Sequence, residues 1–434
     1  WWQLPLEPVD RRGSASARRT RRFARLRYGR PVRVAIIGGG IGGCALALSL
    51  EAAGVRDVQV YEASAEFREL GVGINVLPHA ARELIELGLG DQLDALAIRT
   101  GELSYHNRFG QQIWVEPRGL AAGYRWPQWS VHRGRLLGVL ARAVEERLGE
   151  GCVRFGSRID PTDLDSIDAD VVVAADGIHS AMRTLVAPEE GPPLWNGVTM
   201  WRGVSEMPGF LGGRRMVMAG RLWERVVAYP IVDLDDGRQL VNWIAEKRTD
   251  DGRPMPRQDW TAEADLDEPL SVFADYRFDW LDVPAMLSAA TSVLRYPMAD
   301  RDPLPNWRHG RMTLLGDAAH PMYPVGSNGA SQAIIDARVL ARELVLQPSV
   351  DAALDAYEAQ RLPATAAVVL SNRKAGPERC MEIIAERAPN GFNHLHQVIG
   401  RDELEEIVTA YRRTAGFDPA VLNERPSLGV RPPS

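Results

Sequence analysis

The chain has 434 residues, 45% of them hydrophobic and 25% charged, and carries a net charge of −6, which allows two domains with hydrophobic cores or one large interwoven unit. The acidic balance argues against nucleic acid as the main partner, and no stretch is long and apolar enough to predict a membrane span. The three cysteines have neither metal-ligand nor disulfide-framework spacing, so we expect a reducing, cytoplasmic setting and no metal site.

The start of the chain is rich in arginine and poor in periodic apolar positions. Residues 1–33 carry ten arginines against Glu7 and Asp10. The run Arg18–Phe23 is superficially similar to a twin-arginine export signal, but the apolar segment behind it is explained by a strand, a turn and a helix. We therefore predict that residues 1–31 form a disordered basic extension.

A glycine-rich motif then follows the first apolar run. Val32–Ile37 predicts a strand, and a helical pattern begins at Ile41. Between them, Gly38 permits a tight turn, Gly40 lets the backbone approach a pyrophosphate, and Gly43 lets helix and strand pack closely. The order of strand, turn and helix predicts a dinucleotide site at the helix N-terminus. The alternative is a glycine-rich loop that binds nothing.

An acidic residue stands where this motif needs one. The predicted strand Val58–Tyr61 ends in Glu62, which lies 24 residues after Gly38. A carboxylate at this distance can bind the ribose hydroxyls of a dinucleotide. The acidic residue therefore favours a working dinucleotide site over a loop without a ligand.

The remaining pattern alternates between helices and strands. Short strand-like runs separated by Gly, Pro and Asp predict an antiparallel sheet in the middle of the chain, whereas a late apolar strand returns to the parallel style. The predicted helices are Ala80–Leu87, Arg133–Leu148, Ser331–Leu346, Val350–Asn372 and Glu403–Arg413. The predicted strands are Val171–Ala175, Val198–Val204, Arg225–Pro230, Gln239–Ala245 and Met312–Leu315.

Two aspartates and a second glycine-rich turn follow buried strands. Asp176-Gly177 comes after the strand that ends at Ala175, and Asp317 comes after the strand that ends at Leu315. An aspartate at a strand end can bind a ribose or ribityl hydroxyl. The segment Pro324–Ala330 opens a helix, and its free N–H groups would stabilise negative charge. Each motif alone is a common turn, but their order along the chain is specific.

Together these motifs resemble those of the single-component FAD-dependent aromatic hydroxylases, the group A flavoprotein monooxygenases. The resemblance covers about residues 32–375. Within this family, five segments look like those of a phenazine hydroxylase: Leu70–Asn75, Trp114–Gly119, Ser130–Gly134, Thr199–Val204 and Tyr296–Pro305. The tail beyond residue 376 does not match that enzyme.

The resemblance implies an α/β fold like that of para-hydroxybenzoate hydroxylase. A Rossmann-like FAD-binding domain would be interrupted by an antiparallel β-sheet substrate domain and followed by C-terminal helices. The expected boundaries are residues 32–190 for the first part of the FAD domain, 191–300 for the substrate domain, 301–375 for the return of the FAD domain, and 376–434 for a helical tail.

The resemblance also implies the reactants and the cofactor contacts. NAD(P)H would reduce FAD, and a flavin hydroperoxide formed with dioxygen would hydroxylate a small aromatic or heteroaromatic substrate. The pyrophosphate would lie on Gly38, Gly40, Gly42 and Gly43, and the adenosine ribose on Glu62. The implied contacts to the rest of the cofactor are Val72, Gly73, Ile74, Arg133, Asp176, Gly177, Asp317, Gly326, Asn328, Gly329 and Ala330.

The middle of the chain supplies the candidates for substrate contact. Arg202 could pair with a substrate carboxylate or point to solvent. An aromatic stripe is more often core than pocket, so both roles stay open for the other candidates: Trp201, Met218, Tyr229, Trp243 and Tyr296. No catalytic residue is assigned, because the flavin carries the difficult step, and a structural hydrogen bond is favoured for His320.

Two other functions share these motifs. A flavoprotein of this fold could act as an oxidase or dehydrogenase. A protein that binds FAD and sequesters an aromatic ligand would show no substrate-stimulated oxidation of NAD(P)H. Product analysis separates both from a monooxygenase.

Overall fold

The computed structural model describes residues 32–67, 71–249 and 262–430. The predicted basic extension, residues 1–31, lies outside these ranges. The strands are β1 (Val34–Ile37), β2 (Val58–Tyr61), β3 (Gly73–Val76), β4 (Ala97–Arg99), β5 (Glu102–His106), β6 (Gln112–Pro117), β7 (Trp129–His132), β8 (Val153–Arg154), β9 (Val171–Ala174), β10 (Leu194–Pro208), β11 (Arg215–Arg221), β12 (Glu224–Asp233), β13 (Arg238–Arg248), β14 (Arg277–Phe278), β15 (Leu281–Asp282), β16 (Ala290–Asp300), β17 (Arg308–His309) and β18 (Met312–Leu314).

The predicted helices are present, with bounds shifted by a few residues. Every one of them begins or ends within about three residues of its prediction. The α-helices are α1 (Ile41–Ala52), α2 (Pro78–Glu86), α3 (Gly90–Leu96), α4 (Arg133–Leu148), α5 (Asp267–Phe273), α6 (Val283–Ser288), α7 (Gly329–Leu346), α8 (Val350–Arg373), α9 (Arg379–Arg387), α10 (Arg401–Thr414) and α11 (Pro419–Glu424).

A mostly parallel sheet carries the dinucleotide motif. Its strand order in the described residues is β17-β18-β9-β1-β2-β8, and β1 pairs in parallel with both β2 and β9. The central strands β1 and β9 are buried along their whole length, as expected where helices cover both faces of a parallel sheet. Helix α1 packs against α4 and α7. The α/β prediction is confirmed, and the late strand β18 joins this sheet beside β9.

A second, larger sheet contains the strands of the predicted substrate domain and is called the substrate sheet below. Its order is β16-β10-β13-β12-β11-β5-β6, antiparallel except for the parallel pair of β11 and β5. The sheet extends beyond the expected range of residues 191–300, because β5 and β6 come from the segment that the sequence assigned to the FAD domain. A strand's sheet depends on the partner for its backbone hydrogen bonds, which local pattern does not reveal.

A small sheet connects the two parts. It has the order β3-β7-β4, and the backbone N–H of Gly73 on β3 donates to Asn242 Oδ1 on β13 at 2.6 Å. A Cβ at Gly73 would lie 2.6 Å from the Asn242 Cβ, so only glycine allows this approach. The contact holds the start of β3 against the substrate sheet.

The C-terminal helices pack onto the body of the protein. Tyr411, Phe417 and Leu422 share a hydrophobic cluster with Leu77 and Val368. The predicted helix Glu403–Arg413 is confirmed as α10. In the part of the chain that the structure covers, no helix is both long enough and apolar enough to cross a membrane.

Candidate functional site

The first glycine turn has the shape that a bound pyrophosphate requires. Gly38 has φ of +106°, and a Cβ there would lie 2.4 Å from the Ala175 carbonyl oxygen. A Cβ at Gly43 would lie 2.0 Å from the Gly38 oxygen, whereas a Cβ at Gly40 would meet nothing within 4 Å. Glycine is therefore needed for the fold at positions 38 and 43, and position 40 opens onto space beside the N-terminus of α1.

Glu62 lies at the same turn. Its Oε2 accepts a hydrogen bond from the Gly39 N–H at 2.8 Å, and its Oε1 accepts one from the Ser64 N–H at 2.8 Å. The half-buried carboxylate is thereby fixed at the end of β2 beside the glycine turn.

A cavity extends from this turn to the substrate sheet. It brings together thirteen of the predicted site residues from both parts of the fold: Gly40, Gly42, Gly73, Ile74, Arg133, Gly177, Arg202, Met218, Tyr229, Asp317, Asn328, Gly329 and Ala330. The predicted residues that do not line it are Gly38, Gly43, Glu62, Val72, Asp176, Trp201, Trp243, Tyr296 and Gly326. Gly38, Gly43 and Glu62 form or support the glycine turn. The Val72 carbonyl accepts a hydrogen bond from the Arg133 backbone N–H at 2.8 Å.

Asp317 presents an acceptor to this cavity. It stands in the 3-10 turn Gly316–Ala318 after β18, and its side chain is accessible from the cavity although protein encloses it. This enclosure raises the pKa of Asp317, and His320 and Arg133 oppose the rise. Burial, together with Arg202, lowers the pKa of Arg133. A ligand rich in hydroxyl groups would donate hydrogen bonds to the Asp317 carboxylate and so offset the cost of its burial.

The turn that carries Asp317 is held by a buried network. Asp336 Oδ2 accepts from the Gly316 N–H at 3.1 Å and lies 2.5 Å from His320 Nε2, and Asp336 Oδ1 accepts from Arg361 Nε at 2.6 Å. Burial alone would raise the pKa of Asp336, but His320 and Arg361 lower it to about 2. These contacts give His320 the structural role that the sequence favoured.

Asp176 supports its own loop. Its Oδ2 accepts from the Ala181 N–H at 2.9 Å, whereas its buried Oδ1 has no hydrogen-bond partner among the described residues. Its neighbour Gly177 lines the cavity. Asp176 and Gly177 therefore lie at the edge of the cavity.

The second glycine turn leads into the N-terminus of α7. Asn328 is the N-cap, and no side chain caps the helix, so the first N–H groups are open to the cavity. Gly326 does not line the cavity, because its position is covered by the tail: a Cβ there would lie 2.2 Å from the Tyr411 hydroxyl. Sequence analysis missed Tyr411, which belongs to the unmatched tail.

The substrate sheet faces the cavity with apolar side chains and one predicted arginine. Met218 and Tyr229 lie on this face, and Arg202 Nη2 donates to the Gly73 carbonyl at 2.8 Å. Burial raises the pKa of Tyr229 to about 12, and the adjacent Arg202 opposes the rise. Arg202 therefore lies in the wall of the cavity.

Three of the predicted substrate contacts, Trp201, Trp243 and Tyr296, do not line the cavity. Successive side chains in a strand point to opposite faces, so Arg202 in the cavity places Trp201 on the other side. There its indole N–H donates to Glu268 Oε2 at 2.8 Å, and that of Trp243 donates to Ser205 Oγ at 2.9 Å. Both tryptophans are core residues. Tyr296 lies on the cavity side of the sheet, in the same hydrophobic cluster as Met218 and Val227, but it does not line the cavity.

A buried ionic cluster in the cavity wall was not predicted. Arg225 Nη2 lies 2.9 Å from Glu246 Oε2 and 2.5 Å from Glu378 Oε2, and each of the three side chains is 2% exposed or less. Burial, followed by the charge on Glu246, raises the pKa of Glu378 to about 7, although Arg225 opposes the rise. The members come from β12, β13 and the 3-10 turn Gly376–Glu378, and no sequence spacing links them.

The cavity has the features that an FAD molecule requires. The open position at Gly40 accepts a pyrophosphate beside the uncapped N-terminus of α1, and Asp317 offers an acceptor for a ribityl hydroxyl. The uncapped N-terminus of α7 provides positive potential at the other end of the cavity. The described residues contain no group of three or more His, Cys, Asp or Glu side chains arranged for a metal ion.

Comparison with known proteins gives consistent results. The model of a family described as "FAD binding domain" matches residues 282–372. Phenazine 1,6-dicarboxylic acid hydroxylase PhzS of Lysobacter antibioticus is 45% identical over 362 residues, which cover 78% of this chain and 89% of that protein. A 3-amino-4-hydroxybenzoate 2-monooxygenase of Streptomyces platensis is 34% identical over 366 residues, 80% of this chain and 88% of that protein.

A solved structure agrees with these relatives. Klebsiella pneumoniae HpxO complexed with FAD and uric acid superposes with a TM-score of 0.66 at 26% identity, covering 89% of this chain and 95% of that one.

Proposed function

The chain belongs to the FAD-dependent aromatic hydroxylases, and we propose that within this family it acts on a flat heteroaromatic carboxylate of the phenazine type. It is a monooxygenase that uses FAD, NAD(P)H and dioxygen to hydroxylate an aromatic or heteroaromatic compound. The similarity of five segments to 5-methylphenazine-1-carboxylate monooxygenase and the 45% identity to a phenazine hydroxylase support a phenazine.

We further propose which residues hold the cofactor. Gly40 and Gly42 would receive the pyrophosphate, Glu62 the adenosine ribose, and Arg133 and Asp317 the ribityl and phosphate region. Gly73, Ile74 and the N-terminus of α7 at Asn328, Gly329 and Ala330 would border the ring system. When bound, FAD would activate dioxygen, which supplies the oxygen atom that is transferred.

The side chains of this protein have positioning roles in that reaction. The free N–H groups at the start of α7 would stabilise negative charge on the ring system of the bound cofactor. The apolar floor of Met218, Val227 and Ile244 excludes water from the reacting atoms. Arg202, fixed by Gly73 and Tyr229, would bind the substrate carboxylate through the donors that remain.

The observation that carries the proposal is the position of Arg202. Its guanidinium is held at the Gly73 carbonyl, where β3 borders the predicted cofactor site, and it lies beside a floor of apolar side chains. A flat ring on this floor with a carboxylate at Arg202 would lie between the substrate sheet and the cofactor. We also propose a cytoplasmic location, because all three cysteines are free and buried.

The test is product analysis under labelled dioxygen. Phenazine-1-carboxylate should accelerate NAD(P)H oxidation and give a product that contains one labelled oxygen atom, with a phenol panel as the comparison. Hydrogen peroxide as the only product with every aromatic compound would favour an oxidase or a sequestration protein. Labelled product from phenols alone would retain the monooxygenase and reject the phenazine.

A further inference from the structure

Arg225 is a buried arginine whose hydrogen-bonding capacity is only partly used. Its Nη2 contacts both Glu246 and Glu378, but its Nε and Nη1 have no hydrogen-bond partner among the described residues. The side chain is 2% exposed and lines the cavity. Buried donors without acceptors are costly, so this position calls for an acceptor supplied by a ligand.

Arg225 and Arg202 lie at opposite ends of the apolar floor. Arg225, Val227 and Tyr229 alternate along β12 on the cavity face, and four residues of a strand span about 13 Å. The Arg202 guanidinium lies at the Tyr229 end, where it contacts Gly73. Met218 and Ile244 pair with Val227 in the neighbouring strands and fill the floor between the two arginines.

The charge of the cluster at Arg225 depends on the protonation of its two glutamates, since burial raises the pKa of both Glu246 and Glu378. With both glutamates ionised, Glu246, Arg225 and Glu378 together carry −1 and would repel an anion. With Glu378 protonated, the cluster is neutral and Glu378 becomes a donor, while its Oε1 receives the Gly326 N–H at 3.4 Å. The other titratable groups that act on Glu378 or respond to it are Tyr105, Cys380 and Tyr411, all of which are neutral at pH 7 when buried.

We propose that Arg225, held by Glu246 and Glu378, is a second anion subsite of the cavity, which binds a second carboxylate at the far end of a flat heteroaromatic ring whose first carboxylate lies at Arg202. The preferred ligand is then a dicarboxylate. This proposal rests on the proposed function, since it takes the ring and the Arg202 contact from it. The free N–H groups of Arg225 and the O–H of protonated Glu378 donate hydrogen bonds to the second carboxylate, and the net charge of the cluster sets the affinity for that carboxylate.

The experiment compares two ligands that differ by one carboxylate. Phenazine-1,6-dicarboxylate and phenazine-1-carboxylate are titrated into the FAD-loaded protein, with the change in flavin absorption as the readout and no turnover required. The wild-type protein should bind the dicarboxylate about tenfold more tightly or better. Arg225→Gln should lose this preference and bind the monocarboxylate within about threefold of wild type. Arg238→Gln, at an exposed position on β13, is the matched control and should retain the preference.

Glu378→Gln provides a second, independent test of the subsite if Arg225→Gln does not fold. The wild-type preference for the dicarboxylate should decline between about pH 6 and pH 8, because deprotonation of Glu378 makes the cluster negative. Glutamine stays neutral, so the variant should keep the preference without this decline. Equal affinities in the wild type, a preserved preference in Arg225→Gln, or the same pH dependence in Glu378→Gln would each overturn the subsite.

The outcomes also separate this proposal from the proposed function. Absence of binding by either phenazine, with hydroxylation of another aromatic compound, would reject the phenazine assignment itself. Binding of both phenazines through Arg202 without a preference would reject only the Arg225 subsite.

Discussion

The hydroxyl of Tyr411 accepts a hydrogen bond from Asn328 Nδ2 at 2.9 Å. This contact joins α10 of the C-terminal tail to the N-cap position of α7 at the cavity. The same hydroxyl lies 3.1 Å from the Val325 carbonyl and 2.9 Å from Asn372 Oδ1. The tail therefore fixes the loop that the sequence placed against the flavin.

We expect Tyr411→Phe to destabilise this loop. The substitution keeps the ring but removes the donor to buried Asn372 Oδ1 and one of the two acceptors of Asn328 Nδ2, the other being the Gly326 carbonyl at 3.2 Å. This loss should lower the free energy of unfolding by about 1–3 kcal/mol. FAD affinity should fall as well, because the loop borders the cofactor site. Denaturant unfolding and FAD titration measure the two effects. Tyr276→Phe, whose hydroxyl makes only a 3.4 Å contact with the Glu224 carbonyl, should change neither quantity appreciably.

Asp317→Ala should weaken FAD binding by about tenfold to a hundredfold. A hydrogen bond between a carboxylate and a hydroxyl contributes about 1.5–3 kcal/mol, and the alanine cannot accept it. Fluorescence titration of the apoprotein with FAD gives the affinity directly, and Asp235→Ala, at an exposed turn, is the control. Unchanged affinity would remove Asp317 from the cofactor site.

Two glycine substitutions should separate folding from cofactor binding. Gly40→Ala places a methyl group in open space, so the protein should fold but lose FAD affinity as the methyl group meets the pyrophosphate. Gly43→Ala puts a Cβ 2.0 Å from the Gly38 oxygen, so the β1–α1 turn should not form and soluble yield should drop. Circular dichroism and flavin content of the purified proteins distinguish the outcomes. Normal FAD binding by Gly40→Ala would contradict the proposed pyrophosphate site at Gly40.

Asp336 should make the free energy of unfolding depend on pH in the acid range. Its pKa of about 2 lies below the ordinary value of 3.8, so its stabilising contribution is present above about pH 4 and is lost as the pH falls towards 2. The difference corresponds to about 2 kcal/mol. Asp336→Asn should be less stable than wild type by about 3–5 kcal/mol at neutral pH, since it leaves His320 and Arg361 without the charge.

The check is the stability difference between wild type and Asp336→Asn at several pH values, measured by urea unfolding. This difference should shrink between about pH 4 and pH 2, because protonation removes the same charge that the asparagine lacks. A difference that stays constant over this interval would show that Asp336 is not the titrating group.

Local sequence alone determined the glycine turn and the helices. Gly38, Gly40 and Gly43 could be assigned because their roles depend on steric contacts within a few residues of a strand–turn–helix unit. The long helices α7 and α8 have enough periodic apolar positions to be predicted within a few residues. The order of the motifs, supported by a family resemblance, was sufficient to predict FAD.

The tertiary structure decided which side chains reach the cavity. Trp201 and Arg202 are adjacent, and alternation dictates that only one of them faces the cavity, but the sequence does not say which face of β10 is turned inward. Arg225, Glu246 and Glu378 meet only because β12 and β13 pair and the C-terminal turn returns to them. Tyr411 likewise reaches Asn328 through packing of the tail. Such contacts join residues far apart in the chain, so their distances arise from the packed fold and leave no periodic or local signal in the sequence.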